Sequence, residues 1–500
     1  MRKMELAKRC GVIRSRLGWL IVGLVSFQAA AGFVVAADIT FNIVKLGESD
    51  PLPGNLVYGD VWAENGYAYV GTDVDGGGMN IFSISDPTNP IFLKRYAGDQ
   101  FEDVEVWDGI GYFGSDTNVT TGTGVDIVDL ADPYNPVFLS RVNGANCLTA
   151  GVCAHNKVHT LSVRKTDDGR SFMYTTDNAT DVIKITNVSD PSNPQLAASI
   201  DLGLGPNGSN NPASHEVVVR NNRMYVASKD NNFNTCCGWV SIYDVADPAS
   251  PILIKKWEAG ARSHTALPSD DGNLLVMAEE RPNGNVKIYD ISNLNSPNDA
   301  DNPILLSTLN RTSVGIDAHS PHHPHFHGNL LFLSWYEAGL QVFNISDPAH
   351  PVHVGAFDTF PGTSTSYSGN WGNDFSLGLK NVFLSDRSRG LIAVDASGVL
   401  QPGDYNQDLV VDEADYAVWK NSLGSNSSGL HVSAFADGNY DGIVDAADYT
   451  IWRDNLGKTG PNVPGSGALD GWVWTTVPEP SAWVLLTIGV AIRIRRRHDR

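Results

Sequence analysis

One motif constrains this chain more than any other feature: an alternating strand runs into Asp-Pro and then, a few residues on, into a second proline. It reads SISDPTNPIFLKRYAG from Ser83, IVDLADPYNPVFLSRV from Ile127, ITNVSDPSNPQLAASI from Ile185, IYDVADPASPILIKKW from Ile242 and NISDPAHPVHVGAF from Asn344. A further copy, IYDISNLNSPNDADNPILLSTL from Ile288, carries an insertion between its two turn elements. In each unit the Asp caps its own turn and the first Pro fixes φ. The second Pro opens the next strand, where no ladder donor is lost. The turn aspartates Asp86, Asp132, Asp190, Asp247 and Asp347, with the interrupted copy between the last two, recur at roughly 50-residue intervals, the period of propeller blades and solenoid turns.

Each interval holds four strands, as SHEVVVRN, NRMYVASKD, GWVSIYDVAD and PILIKKWEAG show in the fourth unit. Four antiparallel strands per period describe a propeller blade. After the last copy come NDFSLGLK, NVFLSDRSRG and GLIAVDASG, three strands without a fourth, while DITFNIVKLG from Asp38 is a strand without a blade. The reading is therefore all-β: a seven-bladed β-propeller over residues 38–399, closed by the N-terminal strand, which pairs edges that would otherwise invite aggregation. A two-sheet sandwich or a right-handed β-solenoid is the rival architecture. The Asp-Pro copies resemble the LVIVD repeats of bacterial extracellular proteins, a family whose resemblance implies a propeller and supplies no activity.

The innermost strand of each blade lines the channel, so residues that open these strands converge there. They are Asp60, Glu102 and Asp103, His155 or His159, His215 with Glu216, His264, then His319, His322 or His323, and Asp374. Imidazoles and carboxylates converging from several strands suit a divalent transition metal. His155, His159, His215, His264, His319, His322 and His323 are its candidate ligands. The layout resembles that of the selenium-binding-protein and methanethiol-oxidase propellers, whose channel histidines are associated with copper. The competing reading gives these side chains hydrogen bonds to the neighbouring blade's backbone and leaves His323, His325 and His327 as an exposed period-two face. No nucleophile elbow, phosphate loop or dinucleotide fingerprint is present, so no catalytic residue is assigned.

Two further segments are copies of one design: GDYNQDLVVDEADYAVWKNSLGS from Gly403 and ADGNYDGIVDAADYTIWRDNLGK from Ala436. Oxygen donors fall at loop positions 1, 3, 5, 9 and 12, with a backbone carbonyl at position 7, the spacing that wraps calcium. The donors are Asp404, Asn406, Asp408, Val410, Asp412 and Asp415 in the first loop. Asp437, Asn439, Asp441, Ile443, Asp445 and Asp448 repeat them in the second. Each loop precedes an amphipathic helix stopped by glycine. The pair, over residues 404–458, resembles a type I dockerin, which implies two calcium ions and attachment to a cohesin-like partner. Leu409 stands where the tight turn favours glycine, so the first site is expected to be the weaker.

The termini carry addresses. Basic residues at Arg2, Lys3, Lys8 and Arg9, an apolar run from Trp19 to Val25 and small residues through Ala37 read as a secretory signal over 1–37. Export leaves Cys147, Cys153, Cys236 and Cys237 in an oxidising compartment, with three possible pairings, Cys147 to Cys153 being one. After a linker at 459–476, residues 477–500 place Pro478, Glu479 and Pro480 before an apolar run from Ala482 to Ile492 and an arginine cluster. They resemble the PEP-CTERM signal read by an exosortase-type transpeptidase. The run is shorter than the ~20 residues of a spanning helix, so membrane contact through the tail precedes processing.

Lys plus Arg number 35 against 56 Asp plus Glu, a formal charge of −21, which disfavours nucleic acid as a partner. The reading is an exported, surface-sorted calcium protein. Its propeller binds or scaffolds a protein or extracellular polysaccharide. A metal-dependent oxidase or hydrolase is the alternative.

Overall fold

The computed structural model describes residues 40–462 except 52–53, 55–56, 118–123, 149–151, 205–211, 231–237, 296–300, 315–318, 361–366 and 427–434. The expected secretory signal at 1–37, the expected sorting tail at 477–500 and Cys236 and Cys237 lie outside the described residues. So does most of the 459–476 linker. Among the described residues no helix is long and apolar enough to cross a membrane.

Seven antiparallel sheets form the blades of a propeller. Their inner strands are Tyr58–Glu64, Phe101–Trp107, Leu161–Lys165, Pro212–Arg220, Ser263–Pro268, Pro324–His327 and Asn370–Asp374, for blades one to seven. The repeated turn forms as its chemistry requires. Asp86, Asp132, Asp190, Asp247 and Asp347 each accept, through Oδ1, the amide two residues on at 3.0–3.1 Å.

Closure is made by the N-terminal strand. Val44–Ser49 pairs antiparallel with Gly390–Asp395 as the outermost strand of blade seven, Val44 facing Asp395 and Ser49 facing Leu391. Thr40–Phe41 adds a fifth strand to blade six. Gly47 is fixed by packing, because a Cβ there would lie 2.6 Å from the Thr88 carbonyl of blade one. Hydrophobic clusters fill the seams between blades. One joins Tyr58, Val61 and Phe82 of blade one to Phe383 and Leu391 of blade seven. Burying each such side chain contributes roughly 1.5–3 kcal/mol.

Two short helices, Glu413–Ser422 and Ala446–Asn455, follow the propeller. Their core is Tyr405, Val411, Val444 and Trp452. The pairing is reciprocal, since Trp419 Nε1 donates to Asp445 O at 2.8 Å and Trp452 Nε1 to Asp412 O at 2.7 Å.

Candidate metal centres

The inner strands do not run straight into the channel. Register shifts between Phe101 and Asp103, Ser214 and Glu216, Ser263 and Thr265, and Asn370 and Gly372 leave one extra residue on the inner strands of blades two, four, five and seven. Those extra residues are Glu102, His215, His264 and Trp371. A bulge bends the strand and re-aims one side chain, so these residues turn toward the channel axis while their neighbours keep the ladder.

Two of them, His215 and His264, join His159, His322 and His323, which precede unbulged inner strands, in a continuous row of imidazoles. Ring centroids are 4.5 Å apart for His159 and His215 and 4.2 Å for His215 and His264. They are 4.2 Å apart again for His264 and His322, and for His322 and His323. Carboxylates flank the row. Glu280 Oε2 lies 3.8 Å from His215 Nε2, and Glu216 Oε2 lies 3.3 Å from His264 Nδ1 and 3.6 Å from His323 Nε2. Asp116 and Glu102 lie 3.0 and 3.6 Å from His159 Nδ1. Ligand atoms of His215, His264 and Glu280 fall within 4.8 Å of one another, as do those of His264, His322 and His323 and those of Glu102, Asp116 and His159.

Protonation divides the row. Burial, with neighbouring positive charge, holds His215, His264 and His322 well below the usual imidazole range, so they are neutral and able to ligate. Burial also lowers His323, but Glu216 and Asp60 outweigh it and raise it to about 9. His159 is raised to about 10, where Glu102 and Asp116 overcome burial. The tautomer of His322 follows from its contact: Nδ1 meets the Trp371 carbonyl at 2.7 Å and must donate. Nε2 then carries a lone pair, buried and without a hydrogen-bond partner among the described residues, as is His215 Nδ1.

Of the seven candidate histidines, His159, His215, His264, His322 and His323 come together. His155 lies apart, its Nδ1 3.2 Å from Thr175 Oγ1, so blade three contributes His159. His319 packs its ring on Tyr367 at 5.0 Å. Inter-blade stapling is present as well, on other side chains: Asp103 accepts from Leu161 N at 2.5 Å, Glu105 from Val163 N at 2.7 Å and Asp374 from Ala63 N at 3.1 Å. His323, His325 and His327 do not form an exposed face. They line the central cavity, about 640 Å3 in volume, together with Trp62, Trp107, Phe375 and Phe435.

Asp116, Glu280 and Tyr336, whose hydroxyl donates to Glu280 Oε1 at 2.9 Å, were missed by sequence reasoning. Each stands just past the end of a second strand. Antiparallel pairing sets Ser115 opposite Phe101 and Glu279 opposite Ser263, so Asp116 and Glu280 bond through their amides to Gln100 O and Arg262 O, two residues before Glu102 and His264. That register was the available signal.

The calcium loops are built alike. Asp404 accepts from the amides of Asp408 and Leu409, both at 3.0 Å, and Asp437 accepts from Asp441 and Gly442 at 3.1 and 2.9 Å. Asp415 and Asp448 reach back to the amides of Asn406 and Asn439 at 2.9 and 3.2 Å. Asp412 and Asp445 serve as helix N-caps on Ala414 and Ala447. Burial and the charges of Asp415 and Asp408 push Asp404 up to about 7. That crowding of carboxylates is relieved by a hard divalent cation, and the donor set fits calcium. Leu409 adopts φ 69 where Gly442 has φ 93, so the first loop keeps the turn at a backbone cost.

The type I dockerin domain model matches residues 402–456, and the LVIVD repeat model matches residues 58–98 and 326–359. The chain carries LVIVD repeats and a type I dockerin domain. A dockerin domain implies calcium binding, and the 402–456 match covers both loops. No curated protein matches the chain. Among solved structures, a protein from Lactobacillus plantarum is similar at 12% identity and a TM-score of 0.48, over 66% of this chain and 88% of that one. A Pseudomonas aeruginosa periplasmic gluconolactonase is similar at 12% identity and a TM-score of 0.47, over 68% and 91%. No activity is carried over from either.

Proposed function

We propose that this protein is an extracellular, dockerin-tethered propeller whose channel holds a transition-metal ion on imidazoles from blades four, five and six. Dockerin domains mark extracellular, cell-surface proteins and typically bind cohesins, which supports attachment to a cohesin-like partner. The propeller then serves as the binding module, for a protein or an extracellular polysaccharide.

The observation that carries the metal reading is the buried Nε2 of His322 and Nδ1 of His215, each without a hydrogen-bond partner among the described residues, on two clusters that share His264: His215, His264 and Glu280, and His264, His322 and His323, each with ligand atoms within 4.8 Å. A buried polar atom without a partner costs roughly 1–3 kcal/mol, a cost that a ligated ion would relieve. Neutral imidazole favours zinc, copper, nickel, cobalt or iron over calcium or magnesium. The Nδ1 contact of His322 to a carbonyl is the outer-sphere bond that orients a ligating imidazole.

Elemental analysis of the untagged chain tests this reading. One of these metals at near one ion per chain, lost in His215→Ala with His264→Ala while the circular dichroism spectrum holds, is the expected result. A folded chain that takes up no such metal when each is supplied refutes it.

The cavity favours a second reading. It meets the proposed centre at His323 and Glu216, and its volume suits a small molecule. Metal-dependent oxidase or hydrolase chemistry would use that space, and turnover that disappears with the metal would identify it.

A further inference from the structure

Each calcium loop turns one side toward the propeller. Gln407, at position 4 of the first loop, is buried, with 2% of its surface exposed. Its Oε1 accepts from Asn329 N at 2.8 Å and its carbonyl from Asn344 Nδ2 at 2.8 Å, while Asn329 Nδ2 donates to Asn406 O at 3.0 Å. All these partners belong to blade six. At position 4 of the second loop, Tyr440 lies under the ammonium of Lys380, 5.0 Å from its ring centroid. Lys380 belongs to blade seven and also reaches Asn439 O at 3.5 Å. Leu409 and Tyr440 both pack on the cluster of Leu330, Phe332, Val342 and Val382 shared by these blades. The residue that departs from the calcium-loop pattern is thus one that touches the propeller.

We propose that the calcium loops are the docking face of the dockerin module on blades six and seven, so that loading with calcium and seating on the propeller form one linked equilibrium. The same backbone that turns Asp404, Asn406 and Asp408 inward turns the Asn406 and Gln407 carbonyls outward. Gln407, Leu409 and Tyr440 hold φ of 59°, 69° and 59°, and each makes a propeller contact. Carboxylate repulsion without the cation loosens that backbone and releases the contacts. By reciprocity, docking raises calcium affinity by the factor by which calcium favours docking. Seating also sets Phe435 at the channel mouth, where its ring meets His327 with centroids 5.3 Å apart. Gly328 leaves room for it, since a Cβ there would come 3.0 Å from the Phe435 ring. The inference rests on the calcium reading of the module and is independent of the channel metal.

The test uses the full chain and the pair Asn329→Ala with Lys380→Ala, which replaces no calcium donor and removes only propeller contacts to the Asn406 and Asn439 backbone carbonyls and the Tyr440 ring. Calcium titration by calorimetry and hydrogen exchange at the Asn329 amide are the readouts. Calcium is expected to slow exchange at Asn329 about ten-fold relative to EGTA, and the pair is expected to weaken calcium binding by roughly three- to ten-fold. Helix content in saturating calcium stays at the parent level. Parent-like calcium affinity in the pair, or Asn329 protection that ignores calcium while calcium binds, overturns the coupling alone. A parent chain that binds no calcium overturns the calcium reading as well.

Discussion

His353 offers a direct measure of how burial tunes an imidazole in this fold, away from the channel. It sits on the Val352–Phe357 strand of blade six, 8% exposed, stacked on Phe343 at 4.8 Å and tilted against Phe41 at 6.1 Å. Burial lowers it from 6.5 to about 4. The unfolded chain therefore takes up the proton first as pH falls. Stability from the neutral ring is complete above pH 6.5 and is lost as pH drops toward 4. Integrated over the two midpoints, the difference between pH 6.5 and pH 4.5 is ~2 kcal/mol. His353→Leu removes the titration and keeps an apolar side chain. Guanidinium unfolding at half-unit pH steps, in fixed calcium, should show the parent losing about 2 kcal/mol more than the variant between pH 6.5 and 4.5. Parallel stability profiles, or an imidazole exchange midpoint near 6.5 for His353, would refute the reasoning.

Removing the chain through Ser49 leaves the Gly390–Asp395 edge unpaired. The melting temperature should fall by roughly 10 °C or more with aggregation on gel filtration. Gly47→Val drives a side chain into the Thr88 carbonyl and should cost about 1–3 kcal/mol in chemical denaturation. Cys147 and Cys153 form a disulfide across a sequence separation of 6. Converting both to serine should cost about 2 kcal/mol by loop entropy, and reductant should then shift the parent's midpoint but leave the variant's unchanged at this site.

Much of the architecture was legible in the sequence because its causes are local. An Asp that closes its own turn, a Pro that opens a strand and a period-two pattern act through neighbours in the chain, so the blade repeat and the unpaired N-terminal strand followed directly. The doubled calcium loops were legible for the same reason, their donors lying within twelve positions. Inner-strand openings were read as convergent, and the rings of His159, His215, His264, His322 and His323 lie in one row. Tertiary structure alone separated His159 from His155, brought Asp116 and Glu280 beside the imidazoles, and turned His325 and His327 into the cavity. These outcomes depend on where each inner strand begins against its neighbour and, in blades two, four and five, on where it bulges. Leu409 marks the boundary between the two kinds of information. Within its own loop it is only an unfavourable residue at a glycine position. Its contact with blades six and seven arises from a surface distant in sequence, and no property of the loop alone encodes it.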